Sequence, residues 1–249
     1  MPIHRIIFRI DYKANFEIMN SPGTVMSLMN GDNHEYWQEF HDSSQTRQIS
    51  GVYSKSDKGI QRRLTVDPSS INFEIEWLEG MPFTKLEDDN DYRELFKRVK
   101  ALCTNFHINE FNRAGIRFIH LSTVGSEGGN LASSFSGLFP VNLHFSVQNS
   151  MGKPYDYGIA IDGSDVDGSK YHLKFGPYSK SEKTKYFLAA GEIDENLICD
   201  LDFYEESFAF ANSNPTGWVR PFINKGNIVI NELTKELLER IPNKKEERL

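Results

Sequence analysis

Apolar and polar residues alternate from the start of the chain, with Ile6, Phe8, Ile10 and Tyr12 on one side and Arg5, Ile7, Arg9 and Asp11 on the other. A period of two predicts a half-buried strand. Ser21-Pro22-Gly23-Thr24 offers an N-cap and a proline at a tolerated first-turn position, so Val25, Met26, Leu28 and Met29 predict a short helix ending before Gly31. Tyr36, Trp37 and Phe40 stand at helical spacing and predict another helical turn over residues 34–41. From Arg47 alternation returns: Ile49, Gly51 and Tyr53, the turn Asp57-Lys58-Gly59, then an extended run over 60–66 predict a hairpin. After the turn at Asp67-Pro68-Ser69-Ser70, Ile71, Phe73, Ile75 and Trp77 face one side while Asn72, Glu74, Glu76 and Leu78 face the other.

The period then changes. Asp88-Asp89-Asn90-Asp91 supplies caps ahead of Tyr92, Leu95, Phe96, Val99, Leu102, Cys103 and Phe106, the stripe of an amphipathic helix. Residues 112–122 alternate again, with Ala114, Ile116, Phe118 and His120 opposed to Arg113, Gly115, Arg117, Ile119 and Leu121. A Gly/Ser-rich stretch follows. Beyond it, strands are predicted over 141–147, 157–161, 171–175, 185–190 and 197–210. A closing helix, starting near Trp218 or Asn227 and ending at Ile241, carries the stripe Ile228, Leu233, Leu237, Leu238 and Ile241.

Both halves run from strands, through an acidic alternating strand, to an amphipathic helix. Residues 71–79 against 197–205 form the nearest pairing. The expected fold is α+β: two antiparallel-sheet units, each closed by an amphipathic helix, as a structural repeat. The units are an N-terminal half at 1–122, a connector at 123–137 and a C-terminal half at 138–249. One continuous sheet without internal symmetry is the competing arrangement.

Composition narrows the function classes. The 249 residues carry 28 Lys plus Arg against 35 Asp plus Glu, a net charge of −7. Residues 1–122 hold 15 basic and 17 acidic side chains, so most of the excess lies in the C-terminal half. This is not the strong basic footprint of a general nucleic-acid binder. With no apolar run approaching about 18 residues and no secretory pattern, a cytoplasmic location without membrane contact is expected. Cys103 and Cys199 suggest no disulfide.

Candidate chemistry is sparse. Phosphate-binding, dinucleotide and nucleophile-elbow motifs and His-Glu-x-x-His spacing are absent. Arg113 and Arg117 share a strand face about 13 Å apart with Gly115 between them, which suits an anion; a ladder in which Glu74 and Glu76 accept from them explains the same pattern. Arg62 and Arg63 point to opposite faces, and either could join Arg5, Arg9 or Arg117 on adjacent strands. Asp200 and Asp202 share a face as paired metal ligands do, with His172 or His144 as further donors; an exposed edge strand explains them equally. The crowded carboxylates of residues 162–167 fail the calcium-loop pattern, since the twelfth position from Asp162 is Leu173 and from Asp165 is Gly176, and so predict a tight turn.

Two strings carry a family resemblance. Asn112-Arg113-Ala114-Gly115-Ile116-Arg117-Phe118-Ile119 is similar to an Arg-x-Gly-Leu-Arg-Tyr-Ile-Asn signature, and Leu197-Ile198-Cys199-Asp200-Leu201-Asp202-Phe203-Tyr204 to a late Asp-x-Asp strand. Both belong to a sporadically distributed family of uncharacterised bacterial proteins of about this length, which the chain resembles over most of its extent. His120 stands in place of the usual Asn, and a proline-rich opening is missing. The resemblance implies a bacterial, full-length unit and says nothing about catalysis; sporadic distribution points to a defence or toxin–antitoxin cassette.

The expectation is a non-enzymatic binding or accessory protein without a cofactor, engaging a protein partner or anionic ligand through Arg113, Arg117, Arg5, Arg9 and Arg62. Two alternatives are a metal-assisted hydrolase or nuclease using Asp200 and Asp202, and a nucleic-acid-binding protein using the same five arginines. Self-association is left open.

Overall fold

A computed structural model describes residues 1–31, 36–43, 45, 47–55, 59–123, 135, 158–177, 196–208 and 215–240. Strand β1 (Pro2–Tyr12) is followed by α1 (Phe16–Asn20) and α2 (Pro22–Asn30), then β2 (Glu39–Ser43), β3 (Gln48–Lys55), β4 (Ile60–Asp67) and β5 (Ser70–Pro82). A 3₁₀ turn (Phe83–Asp88) leads into α3 (Asn90–Asn105) and β6 (Phe111–Thr123). The second half contributes β7 (Ile159–Ser164), β8 (Lys170–Pro177), β9 (Asn196–Phe208) and α4 (Pro215–Arg240).

The nine strands form one antiparallel sheet in the order β2-β3-β4-β5-β1-β6-β9-β8-β7. Helices α2, α3 and α4 cover the face onto which Ile6, Phe8, Ile10, Phe73, Ile116, Phe118 and Phe203 project. Aromatic side chains dominate that core: Phe8 lies 5.2 Å from Phe73 and 4.9 Å from Phe96, and Phe203 stacks 5.2 Å from Phe222. The α3 stripe arises as the sequence implies, with Asp89 capping the Tyr92 N–H. At Gly226, α4 approaches so closely that a Cβ would lie 3.1 Å from the Phe118 ring.

The helical turn expected over residues 34–41 is corrected: Glu39–Ser43 forms β2 against β3. Trp37 donates its indole N–H to the Met29 carbonyl and packs over Gly51, where a Cβ would stand 2.7 Å from the ring. Long-range packing, which periodicity cannot register, places these aromatics. The expected strands at 141–147 and 185–190, the charged tail and nearly all of the connector lie outside the described residues.

Outward from the β1–β6 pair, one side runs β5, β4, β3, β2 and the other β9, β8, β7. Arg5 stands opposite Glu76 and Ile119, while Arg117 stands opposite Asp202 and Ile7. Arg63 faces Glu74 as Lys174 faces Asp200, and Arg9 faces Asn72 as Leu121 faces Ile198. A half-turn about the Ile6–Phe118 pair therefore carries one set of register positions onto the other. Both β5 and β9 have 13 residues, and each precedes a long helix on the same face of the sheet.

Candidate functional site on the charged sheet face

Because side chains alternate along a strand, packing Ile6, Phe8 and Ile10 beneath the helices directs Arg5, Ile7, Arg9 and Asp11 to the other face. Neighbouring strands add Arg63 and Thr65 from β4, Asn72 and Glu74 from β5, Arg113, Gly115 and Arg117 from β6, and Asp202 from β9. Together they line a trough of about 540 Å³. Its walls are mainly polar; Ile7 is the one aliphatic side chain among the described residues that line it.

Most charges in the trough are matched. Arg117 grips Asp200 through two hydrogen bonds of 2.5 Å, from Nε and from a terminal nitrogen. Arg113 donates to Asp202 at 3.2 Å and lies over the Tyr204 ring, Arg5 donates to Glu74 at 2.6 Å, and Arg9 to Asp11 at 2.8 Å. Asp67 accepts from the backbone and hydroxyl groups of Ser69 and Ser70, which fixes the β4–β5 turn. Arg63 forms no ion pair among the described residues.

The expected ladder partners are thus corrected. Arg113 and Arg117 pair with Asp202 and Asp200 rather than with Glu74 and Glu76, because β9 and not β5 borders β6 on that side. By the same topology Asp200 and Asp202 do not lie on an edge strand: β9 is interior, and the Asp200 side chain is only 2% exposed. Their carboxylates are engaged by guanidinium groups, and no group of three or more His, Cys, Asp or Glu side chains suited to a metal occurs among the described residues. His144 lies outside the described residues, while His172 accepts or donates at Nδ1 with Asp162 at 2.6 Å.

The five arginines do not gather. Arg62 projects to the helix-covered face, where it pairs with Asp91, donates to the Tyr36 carbonyl at 2.7 Å and lies between the Tyr36 and Tyr53 rings, 3.8 Å from each. Its neighbour Arg63 occupies the trough instead, a place that strand adjacency makes available and sequence spacing alone does not assign. Arg5 is 8% exposed and held by Glu74, whereas Arg9 and Arg113 reach solvent.

Burial pushes the Asp202 carboxyl up to about 6; nearby Asp200 acts in the same direction, while Arg113, Arg117 and His172 oppose it. A smaller depression joins the trough there, lined by Arg113, Asp162, His172, Asp202, Tyr204 and Glu206. The tight turn is as expected, with Asp165 and Ser169 closing it between β7 and β8. Lys225 of α4 binds both Asp165 and Asp167 at 2.5 Å, and its hydrogen bond holds each carboxyl below the usual range. Burial pushes the Cys103 and Cys199 thiols up to about 12, which suits buried structural sulfur rather than a nucleophile.

No helix among the described residues is long and apolar enough to cross a membrane. No protein-family profile and no curated protein matches the chain. Among solved structures, the chain is aligned with the di-domain ARO/CYC StfQ from the steffimycin biosynthetic pathway, at 9% identity over 95% of this chain and 97% of that one. The TM-score of 0.19 gives that likeness no weight for fold or function.

Proposed function

We propose that the chain is a binding or accessory protein, not itself a catalyst, that engages an anionic ligand or an acidic partner protein through the charged face of its sheet. One observation carries this reading: a solvent-accessible trough of small-molecule size brings together Arg63 of β4, Arg9 of β1 and Arg113 of β6. A guanidinium presents planar donors suited to carboxylate and phosphate, and among the described residues Arg63 has no ion-pair partner. The matching strand order and register on the two sides of β1–β6 support the further reading that the halves are two copies of one sheet-and-helix unit. Their shared seam would then form the recognition surface.

Calorimetric titration with a panel of small carboxylates and phosphates and an acidic peptide tests the proposal. The expected result is saturable binding that weakens as salt is raised. No binding of any member, together with turnover in a substrate screen, overturns it.

A further inference from the structure

We infer that one of the two half-turn-related positions on the charged face is an oxyanion site: a carboxylate or phosphate group sits at Arg63, and a hydrophilic body lies over Thr65 and Asn72 toward Arg9 and Gly115. This rests on the charged face being the binding surface, and it assigns the ligand class and the place.

Charge accounting comes first. The acidic side chains lining the trough are each engaged: Glu74 by Arg5, Asp11 by Arg9, Asp202 by Arg113, and Asp67 by its turn. Arg117, the remaining arginine, is spent on Asp200. The four arginines of the lining match its four carboxylates in number, and Arg63 is the arginine with no ion-pair partner among the described residues, which places an incoming anionic group there. The rest of its lining, Gln48, Thr65, Ser70 and Asn72, is polar, with Thr65 bonded to Ser50, Ser70 to Asp67 and Asn72 to Glu74, and suits a hydroxylated body better than an apolar one.

The second half of the sheet supplies an internal control. The half-turn takes Arg63 to Lys174, Glu74 to Asp200, and the buried pair Arg5–Glu74 to Arg117–Asp200. It takes Arg9, Asn72 and Thr65 to Leu121, Ile198 and Gly176. At that counterpart Ile198 and Leu121 pack with Ile119 and Ile7 as a small apolar cluster. That counterpart is buried, Ile198 at 0% and Ile119 at 1% exposed, whereas Arg9, Asn72 and Thr65 lie on the open part of the same face. The Arg–acid pairs present at both positions belong to the architecture; what sets the open position apart is that Arg63 lines the trough there. Gly115 adds a low floor, since a Cβ there would lie 3.3 Å from the Phe203 carbonyl oxygen and 3.4 Å from Asp202 Oδ1.

The test is calorimetric titration of the full chain with gluconate, glucose 6-phosphate and uncharged glucose. Gluconate or glucose 6-phosphate binds and glucose does not; whichever binds tells a carboxylate site from a phosphate site. Arg63→Gln and Asn72→Ile, the latter installing the counterpart residue, weaken binding at least about tenfold, as loss of a charge-assisted contact implies, while Lys174→Gln does not. Arg63→Lys retains part of the affinity, and thermal unfolding of Arg63→Gln matches the parent, separating lost recognition from lost folding. Binding that survives Arg63→Gln, or falls equally with Lys174→Gln, overturns the assignment while leaving the charged face as a binding surface. Silence of both anionic sugars also overturns it, and the acidic peptide then decides whether the broader reading stands.

Discussion

Arg62 and Arg63 are adjacent in sequence and share a strand, yet they belong to different regions of the molecule. Under the helices, Arg62 is desolvated and engaged by Asp91, a carbonyl and two aromatic rings, with its Nε buried and unbonded among the described residues. On the charged face, Arg63 lies in an open trough without an ion-pair partner among the described residues. One residue of register converts an arginine from a structural tie into a group available for recognition.

The widest separation between the two regions should appear in their alanine variants. Arg62→Ala leaves the Asp91 carboxylate without its counter-charge and is expected to cost about 3–5 kcal/mol in urea unfolding, whereas Arg63→Ala stays within about 0.5 kcal/mol. Equal losses would dissolve the distinction. Within the charged face itself, Arg117→Ala strands the buried Asp200 and is expected to cost about 2–3 kcal/mol, while Arg9→Ala, from an exposed pair, is close to neutral in the same measurement.

A pH series sharpens the contrast further. At the end of β6, His120 donates from Nδ1 to the Pro2 carbonyl and contacts the Ser122 hydroxyl, and His4 accepts the Leu121 N–H. Burial lowers both histidines from 6.5 to about 4, and His4 is further lowered by His120. Below pH 6.5 the unfolded chain takes up protons that the folded chain refuses. Their contribution is therefore complete above pH 6.5 and is lost as pH falls toward 4, on the order of 2–3 kcal/mol for His120. Asp202 acts oppositely: raised to about 6, it favours the fold most below its ordinary 3.8, and that contribution disappears as pH rises through 6. Denaturation of the parent, His120→Asn and Asp202→Asn between pH 7 and 4.5 should flatten one slope and steepen the other.

The smallest effect concerns a single methyl group. Gly51→Ala drives a Cβ into the Trp37 indole and should cost about 1–2 kcal/mol, while Gly23→Ala, with nothing within 4 Å, should be neutral or slightly stabilising by thermal melt.

Much of the fold is legible in periodicity. Alternation along 5–12, 71–78 and 113–121 assigns the correct face to each residue, and the α3 stripe marks the buried side of that helix. Strand order is another matter, because it is set by pairings more than 70 residues apart that no local pattern encodes. Glu74 and Asp200 are similar as strings; only their neighbours decide that one meets Arg5 and the other Arg117. The candidate site suffered most from this. Arg62 was as plausible as Arg63 until β4 was seated between β3 and β5, and the aromatic residues at 36–40 took their places from contacts with Gly51 and Met29 rather than from helical spacing.

The central position of β1 carries a consequence for synthesis. Once β5 has emerged from the ribosome, β1 can pair on one side, but its other edge must wait for β6, which ends 41 residues beyond Pro82 at Thr123. At roughly 5–20 residues per second that edge stays open for several seconds. During this interval the nascent chain presents an unpaired strand rich in isoleucine and phenylalanine, and β6 in turn waits for β9. Arg5 and Arg9 on that edge then act as charged guards against pairing with a neighbouring chain, a service rendered before the sheet exists to bind anything.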